Sequence, residues 1–114
     1  MKAAIATLTL LLALPCLAHA AGKKDAELAL TEAGTAIEAA EHADAAQNAP
    51  ADLRNAREVF AGAQNAFEHH DWTESVMDSE KARADADLAA ARARQHRSEA
   101  ATAEVEASIA SMRR

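Results

Sequence analysis

No glycine or proline occurs between Trp72 and Arg114. A helix that opens at Trp72 therefore meets no breaker before the chain ends. About forty residues at about 1.5 Å each give a rod of roughly 60 Å. The segments before it are bounded by Asn48-Ala49-Pro50 and by His69-His70-Asp71. Pro50 cannot donate to a preceding turn but suits the first turn of a helix, and Asn48 is a good cap residue. These limits predict helices over about 25–47, 50–69 and 72–112. The fold expected is all-α, a slender antiparallel helical hairpin or three-helix bundle with a long C-terminal helix. Neither shorter helix can cover the whole rod, so its last twenty or so residues are expected to lack an intramolecular partner.

Side-chain volume points the same way. Half of the chain is nominally hydrophobic, but from Ala21 onward only fourteen apolar residues are larger than alanine. Fourteen side chains at roughly 1.5–3 kcal/mol each cannot build a thick globular core. Alanine, with the best helix propensity and no rotamer entropy to lose, favours helices that approach closely. The periodic positions are Leu30, Ala33, Ile37 and Ala40 in the first helix, with Gly34 beside them as a point of close contact. In the second they are Leu53, Ala56, Phe60, Ala63 and Phe67. The third carries Trp72, Val76, Ser79, Arg83, Ala86, Ala90 and Ala93, then a thinner stripe of Thr102, Val105, Ile109 and Met112.

The corner between the second and third helices concentrates the aromatic residues. Asp71 and Glu74 form a capping-box pair, Asp71 accepting from the amide of Glu74 and Glu74 reaching back to the amide of Asp71. Trp72 is expected to lie across the seam beside Phe67. On this reading Phe67, Asp71, Trp72 and Glu74 fix how the two helices pack, and Trp72→Ala is the most damaging single substitution.

The N-terminal segment reads as an export signal. Lys2 precedes an apolar run from Ala3 to Leu14, Pro15 follows, and Ala18-His19-Ala20 has the small-x-small form of a signal-peptidase site. The run is too short to span a bilayer. Residues 1–20 are therefore expected to be a signal peptide cut between Ala20 and Ala21, with 21–24 as a flexible leader and 25–114 as the helical domain. Cys16 is an alternative point of lipid attachment, disfavoured by the adjacent Pro15. Cleavage at Ala20 leaves 94 residues, no cysteine, eleven basic and eighteen acidic side chains. That balance argues against nucleic-acid binding. All six charges from Asp25 to Asp44 are acidic, a solvated face or a docking face for a basic partner.

Several stretches carry a family likeness: Ala36-Ile37-x-Ala39-Ala40, Ala49-Pro50-x-Asp52-Leu53-x-x-Ala56-Arg57, Ala63-x-x-Ala66-Phe67, Asp71-Trp72-x-Glu74 and the run from Ala82 to Ala91. In this order they resemble a bacterial cell-envelope family of unknown function. Its members are small secreted proteins or lipoproteins, some joined to an OmpA-like peptidoglycan-binding domain. The resemblance covers Ala36 to about Ala93. It implies an envelope location and a helical fold, and it supplies no activity. His70 stands where the family usually has a glycine and Trp72 where it has a tyrosine. No OmpA-like domain follows in this sequence, so peptidoglycan binding is not carried over. A single tetratricopeptide-like hairpin is a weaker likeness, without a second copy near a period of 34 residues.

Two polar clusters are candidates for chemistry. His69-His70-Asp71, beside Glu68, offers imidazole and carboxylate ligands, although neighbouring helical residues point apart. Arg92, Arg94 and Arg97 with His96 form the one basic cluster, suited to anionic headgroups or to pairing with the acidic first helix. No nucleophile elbow, phosphate loop or haem-attachment motif is present in the sequence. No enzyme and no cofactor is expected. The reading is a periplasmic structural or interaction module that binds itself or another envelope protein through Val105, Ile109 and Met112. The alternative is a small ligand- or metal-binding protein using the His69-His70-Asp71 corner or the Arg92–Arg97 cluster.

Overall fold

The computed structural model describes residues 20–114. These residues are 88% helical and contain no strand. The elements are α1 (Lys23–His42), α2 (Ala45–Asn48), α3 (Pro50–Glu68) and α4 (Trp72–Met112). The stretch up to residue 19, which carries the expected export signal and Cys16, lies outside the described residues. Ala20 and Ala21 precede the first helix.

Three boundaries differ from expectation, each for a local reason. The helix α1 begins at Lys23, inside the expected leader, because Asp25 Oδ2 accepts a 2.9 Å hydrogen bond from Gly22 N–H. The expected helix over 25–47 is broken at Asp44, which takes a left-handed conformation (φ 61°, ψ 34°). No glycine or proline announces this break. Aspartate is among the few side chains that enter the left-handed region routinely. Asn48 does not cap α3. The residue before Pro50 is Ala49, which makes no side-chain cap bond. The Asn48 amide instead donates to Asp44 O at 3.1 Å.

Side-chain pairs fix the topology. Glu32 pairs with Arg83 and Asp44 with Arg97, so residue numbers in α1 and α4 rise together and the two run parallel. Asp52 pairs with Arg92, and Ala63 O accepts from Ser75 Oγ, so α3 runs antiparallel to α4. The bundle is thus up, down, up along α4. The turn at Asp44 and the short α2 reverse the chain between α1 and α3.

Alanine and serine make the core. Buried positions on α4 are Ser75, Ser79, Ala82, Ala86, Ala89, Ala90 and Ala93. Most of them fall at alternating steps of four and three, the spacing of a coiled-coil seam. They meet Ala33, Ile37 and Ala40 of α1 and Leu53, Ala56 and Ala63 of α3. The largest fully buried side chain is Leu53, 1% exposed. The expected seam of α4 is therefore displaced: Arg83 is exposed and pairs with Glu32, while Ala82 and Ala89 are buried. Leu30, Phe60, Phe67, Trp72 and Val76 are only half-buried. These larger side chains flank the interface, since axes drawn close by alanine leave no room for them in the centre. Gly34 is not required for close approach. A methyl group there would stand 3.7 Å from Phe60 Cζ, an ordinary contact.

Two predictions follow from this core. Leu53→Ala should cost about 3 kcal/mol, more than Trp72→Ala, in urea unfolding followed by circular dichroism. The opposite order would return the leading role to the corner. The two buried serines should behave oppositely. Ser75 Oγ donates to Ala63 O at 2.9 Å, whereas Ser79 Oγ is buried without a partner. Ser75→Ala is expected to destabilise by about 1 kcal/mol, and Ser79→Ala to stabilise by a similar amount.

Candidate functional site

The α3–α4 corner is built by a helix terminus of defined geometry. His70 has φ 60° and sits just past the end of α3. Its N–H donates to Phe67 O at 3.0 Å, and the Asp71 N–H donates to Ala66 O at 2.9 Å. These two bonds, closing around a left-handed residue, form a Schellman motif. Histidine holds a position that glycine fills more easily, and its ring stacks on Trp72 with centroids 5.1 Å apart. Trp72 in turn meets Phe67 edge-on at 5.0 Å. Asp71 caps α4, its Oδ1 accepting from Glu74 N–H at 3.2 Å. The reciprocal half of the capping box does not form, because the Asp71 amide is already committed to Ala66. Side-chain hydrogen bonding with Asp71 and the repulsion of its carboxylate hold the exposed Glu74 carboxyl above its ordinary range.

The corner thus spends its polar groups on structure. His69 Nδ1 lies 2.8 Å from Asn65 O, and the His70 ring lies on the indole. Among the described residues, no group of three or more His, Cys, Asp or Glu side chains is placed to hold a metal ion.

The basic cluster is divided among partners. Arg92 forms two bonds to the Asp52 carboxylate, at 2.9 and 3.1 Å. Arg97 lies 3.3 Å from Asp44, and His96 Nδ1 lies 3.0 Å from Asn48 Oδ1. The acidic first helix is similarly engaged: Glu32 pairs with Arg83 and Glu41 with Arg57. Exposed pairs of this kind contribute about 0–1 kcal/mol each. Their main effect is to fix which turn of α4 faces which turn of α1, α2 and α3.

The remaining candidate lies beyond the bundle. The last buried residue of α4 is Ala93, and every residue from Arg94 to Arg114 is exposed. Val105, Ile109 and Met112 are 58%, 46% and 81% exposed. They do not prolong the buried seam. Continued at its own spacing, that seam would pass over Ala100, Ala103, Ala107 and Ala110, so the apolar stripe lies on another face of the helix. Met77 and Leu88, also exposed, belong to no stripe anticipated from the sequence. Their signal is an identical seven-residue register, hidden by the long polar interval before Val105.

These features define a class: an up-down-up helical bundle with one helix about twice as long as its neighbours. No helix among the described residues is long and apolar enough to cross a membrane. The chain matches no protein-family profile, no curated protein and no solved structure.

The corner makes its own prediction. His70→Ala keeps the left-handed backbone requirement and removes the stacked ring, so it should destabilise by about 1–2 kcal/mol. His70→Gly removes ring and backbone cost together and should recover most of that loss in the same thermal melt. Equal losses for both variants would show that backbone conformation is not the issue at this turn.

Proposed function

We propose that the chain is a non-enzymatic helical module of the bacterial envelope, exported to the periplasm, that works by packing against another polypeptide. The supporting observation is the projecting part of α4. Twenty or so residues of continuous helix stand clear of the bundle and carry Val105, Ile109 and Met112 in the open. A helix of that length alone in water is only marginally stable, and a stripe of large apolar side chains on it is usual where a partner helix covers it. The export signal of residues 1–20 and the likeness to an envelope family support the location. The ligand-binding alternative draws little support from the corner or the arginine cluster, where His69, Arg92, His96 and Arg97 are engaged within the chain.

Ending the chain at Ala100 tests the proposal. The bundle's core lies between Ala26 and Ala93, so the shortened protein should melt within about 0.5 kcal/mol of the parent. Its association with itself or with envelope proteins should be lost. Association unaffected by the truncation would sink the reading.

A further inference from the structure

We infer that the outer face of α4, from Met77 to Met112, is a second coiled-coil seam whose occupant is α4 of a second copy of this chain, lying antiparallel. The inference rests on the interaction-module reading above and names its partner.

Five large apolar side chains of α4 are exposed: Met77, Leu88, Val105, Ile109 and Met112. From Met77, alternating steps of four and three pass through Lys81, Ala84, Leu88, Ala91, Gln95, Ser98, Thr102, Val105, Ile109 and Met112. All five fall on that one register. With two positions in seven available, chance would achieve this roughly once in seventy, allowing for any register. From Met77 to Gln95 each seam position lies two residues beyond a buried one (Ser75 and Met77, Ala86 and Leu88), which places it on the side of the helix turned away from α1 and α3; beyond Gln95 the same register continues along the projecting part of α4. A helix carrying two such seams is built to pack twice.

Length decides between the tail alone and the whole face. Val105 to Met112 spans about 11 Å, too little for a specific interface. In the antiparallel pairing Lys81 to Met112 overlap, about 46 Å, with Met77 just beyond the end of the partner helix, and a strip one helix wide over that length gives roughly 450–500 Å² per copy. The total, about 900–1,000 Å², is the size of a weak, reversible interface.

Chemistry decides the direction. Apart from Lys81, the seam is apolar toward both ends and polar in the middle, at Gln95, Ser98 and Thr102. Antiparallel alignment about a point between His96 and Arg97 sets Leu88 against Val105 and Ala84 against Ile109 of the other copy. Gln95 then meets Ser98, and the Lys81 stem covers Met112. A parallel, in-register pair would face Lys81 with Lys81. The flank nearer α3 carries Asp78, Asp85, Arg92, Glu99, Glu106 and Arg113 at intervals of seven. Reversed on itself, this ladder seats Arg92 between Glu99 and Glu106 of the second copy, and Arg113 between Asp78 and Asp85. Glu99 opposite its own copy, Asp85 beside Glu106, and Arg94 on the other flank are the like-charge oppositions. The intrachain bonds of Arg92 leave most of its five donors available.

Residues 20–114 hold the whole bundle and contain no cysteine, which allows a direct test. Sedimentation equilibrium should show a monomer–dimer equilibrium with Kd on the order of tens of micromolar, as befits an interface of this size. Leu88→Glu and Ile109→Glu should each raise Kd at least tenfold, while the melting curve at low micromolar concentration stays unchanged because both residues are exposed in the monomer. Leu88→Cys mixed with Val105→Cys should oxidise mainly to the 88–105 disulfide between copies. A chain still monomeric at 0.5 mM, a dimer indifferent to Leu88→Glu, or a preference for 88–88 and 105–105 disulfides would each overturn the antiparallel seam. The broader reading of α4 as a docking surface would then stand or fall on the Ala100 truncation.

Discussion

Everything in this fold depends on how closely α4 approaches its two neighbours. Alanine and serine at Ser75, Ser79, Ala82, Ala86, Ala89 and Ala93 leave the helix surface nearly smooth on one side. The matching faces of α1 and α3 are almost as smooth. Close approach replaces side-chain volume with backbone contact, in which many small dispersion terms accumulate. Burying alanine also avoids the rotamer entropy that leucine or methionine would lose. A chain with so few large apolar residues can fold on those terms. Leu53 and Ile37 then act as the few knobs that fix how far the helices slide along one another.

Such an interface tolerates sliding unless something sets the register, and here the ends and the charges do so. At one end the Schellman turn at His70 and the Asp71 cap join α3 to α4 with no slack, while His70 stacked on Trp72 and Phe67 edge-on to it form an aromatic lid. At the other end Asp44 turns the chain, and Arg97, His96 and Arg92 of α4 reach Asp44, Asn48 and Asp52. The arginine cluster therefore sits where α2 would otherwise have only a four-residue helix to hold it against α4. Individually these exposed pairs are weak. Distributed along α4, they select one alignment of a smooth interface from several of similar packing energy.

The sequence disclosed this architecture unevenly, for physical reasons. The long helix was legible from the absence of breakers after Trp72, and the corner from Asp71 and Glu74. The break at Asp44 was not legible, since aspartate is compatible with both helix interior and left-handed turn, and only tertiary packing chooses. Trp72 and the phenylalanines are less buried than their size suggested, although Trp72 does lie beside Phe67 as expected. Hydrophobic size is a poor guide to burial when axes are set by alanine, and the bulky rings are pushed to the rim. His70 shows the converse: a histidine does not announce a left-handed residue, yet the turn that closes α3 places one there.

The outer face of α4 was hidden for a different reason. Amphipathicity is a vector sum over the helix, and apolar positions on opposite sides cancel. A helix that packs inward through Ser75 to Ala93 and presents Met77 to Met112 outward looks barely amphipathic as a whole. Its two seams separate only when the buried one is known and subtracted. The inner seam is made of the smallest side chains and the outer one carries larger ones, although burial ordinarily favours the reverse. That inversion fits a division of labour. The inner seam binds tightly by proximity and needs no bulk. The outer seam, facing water in the monomer, needs side chains large enough to fill the gap to a helix that no alanine interface has drawn close.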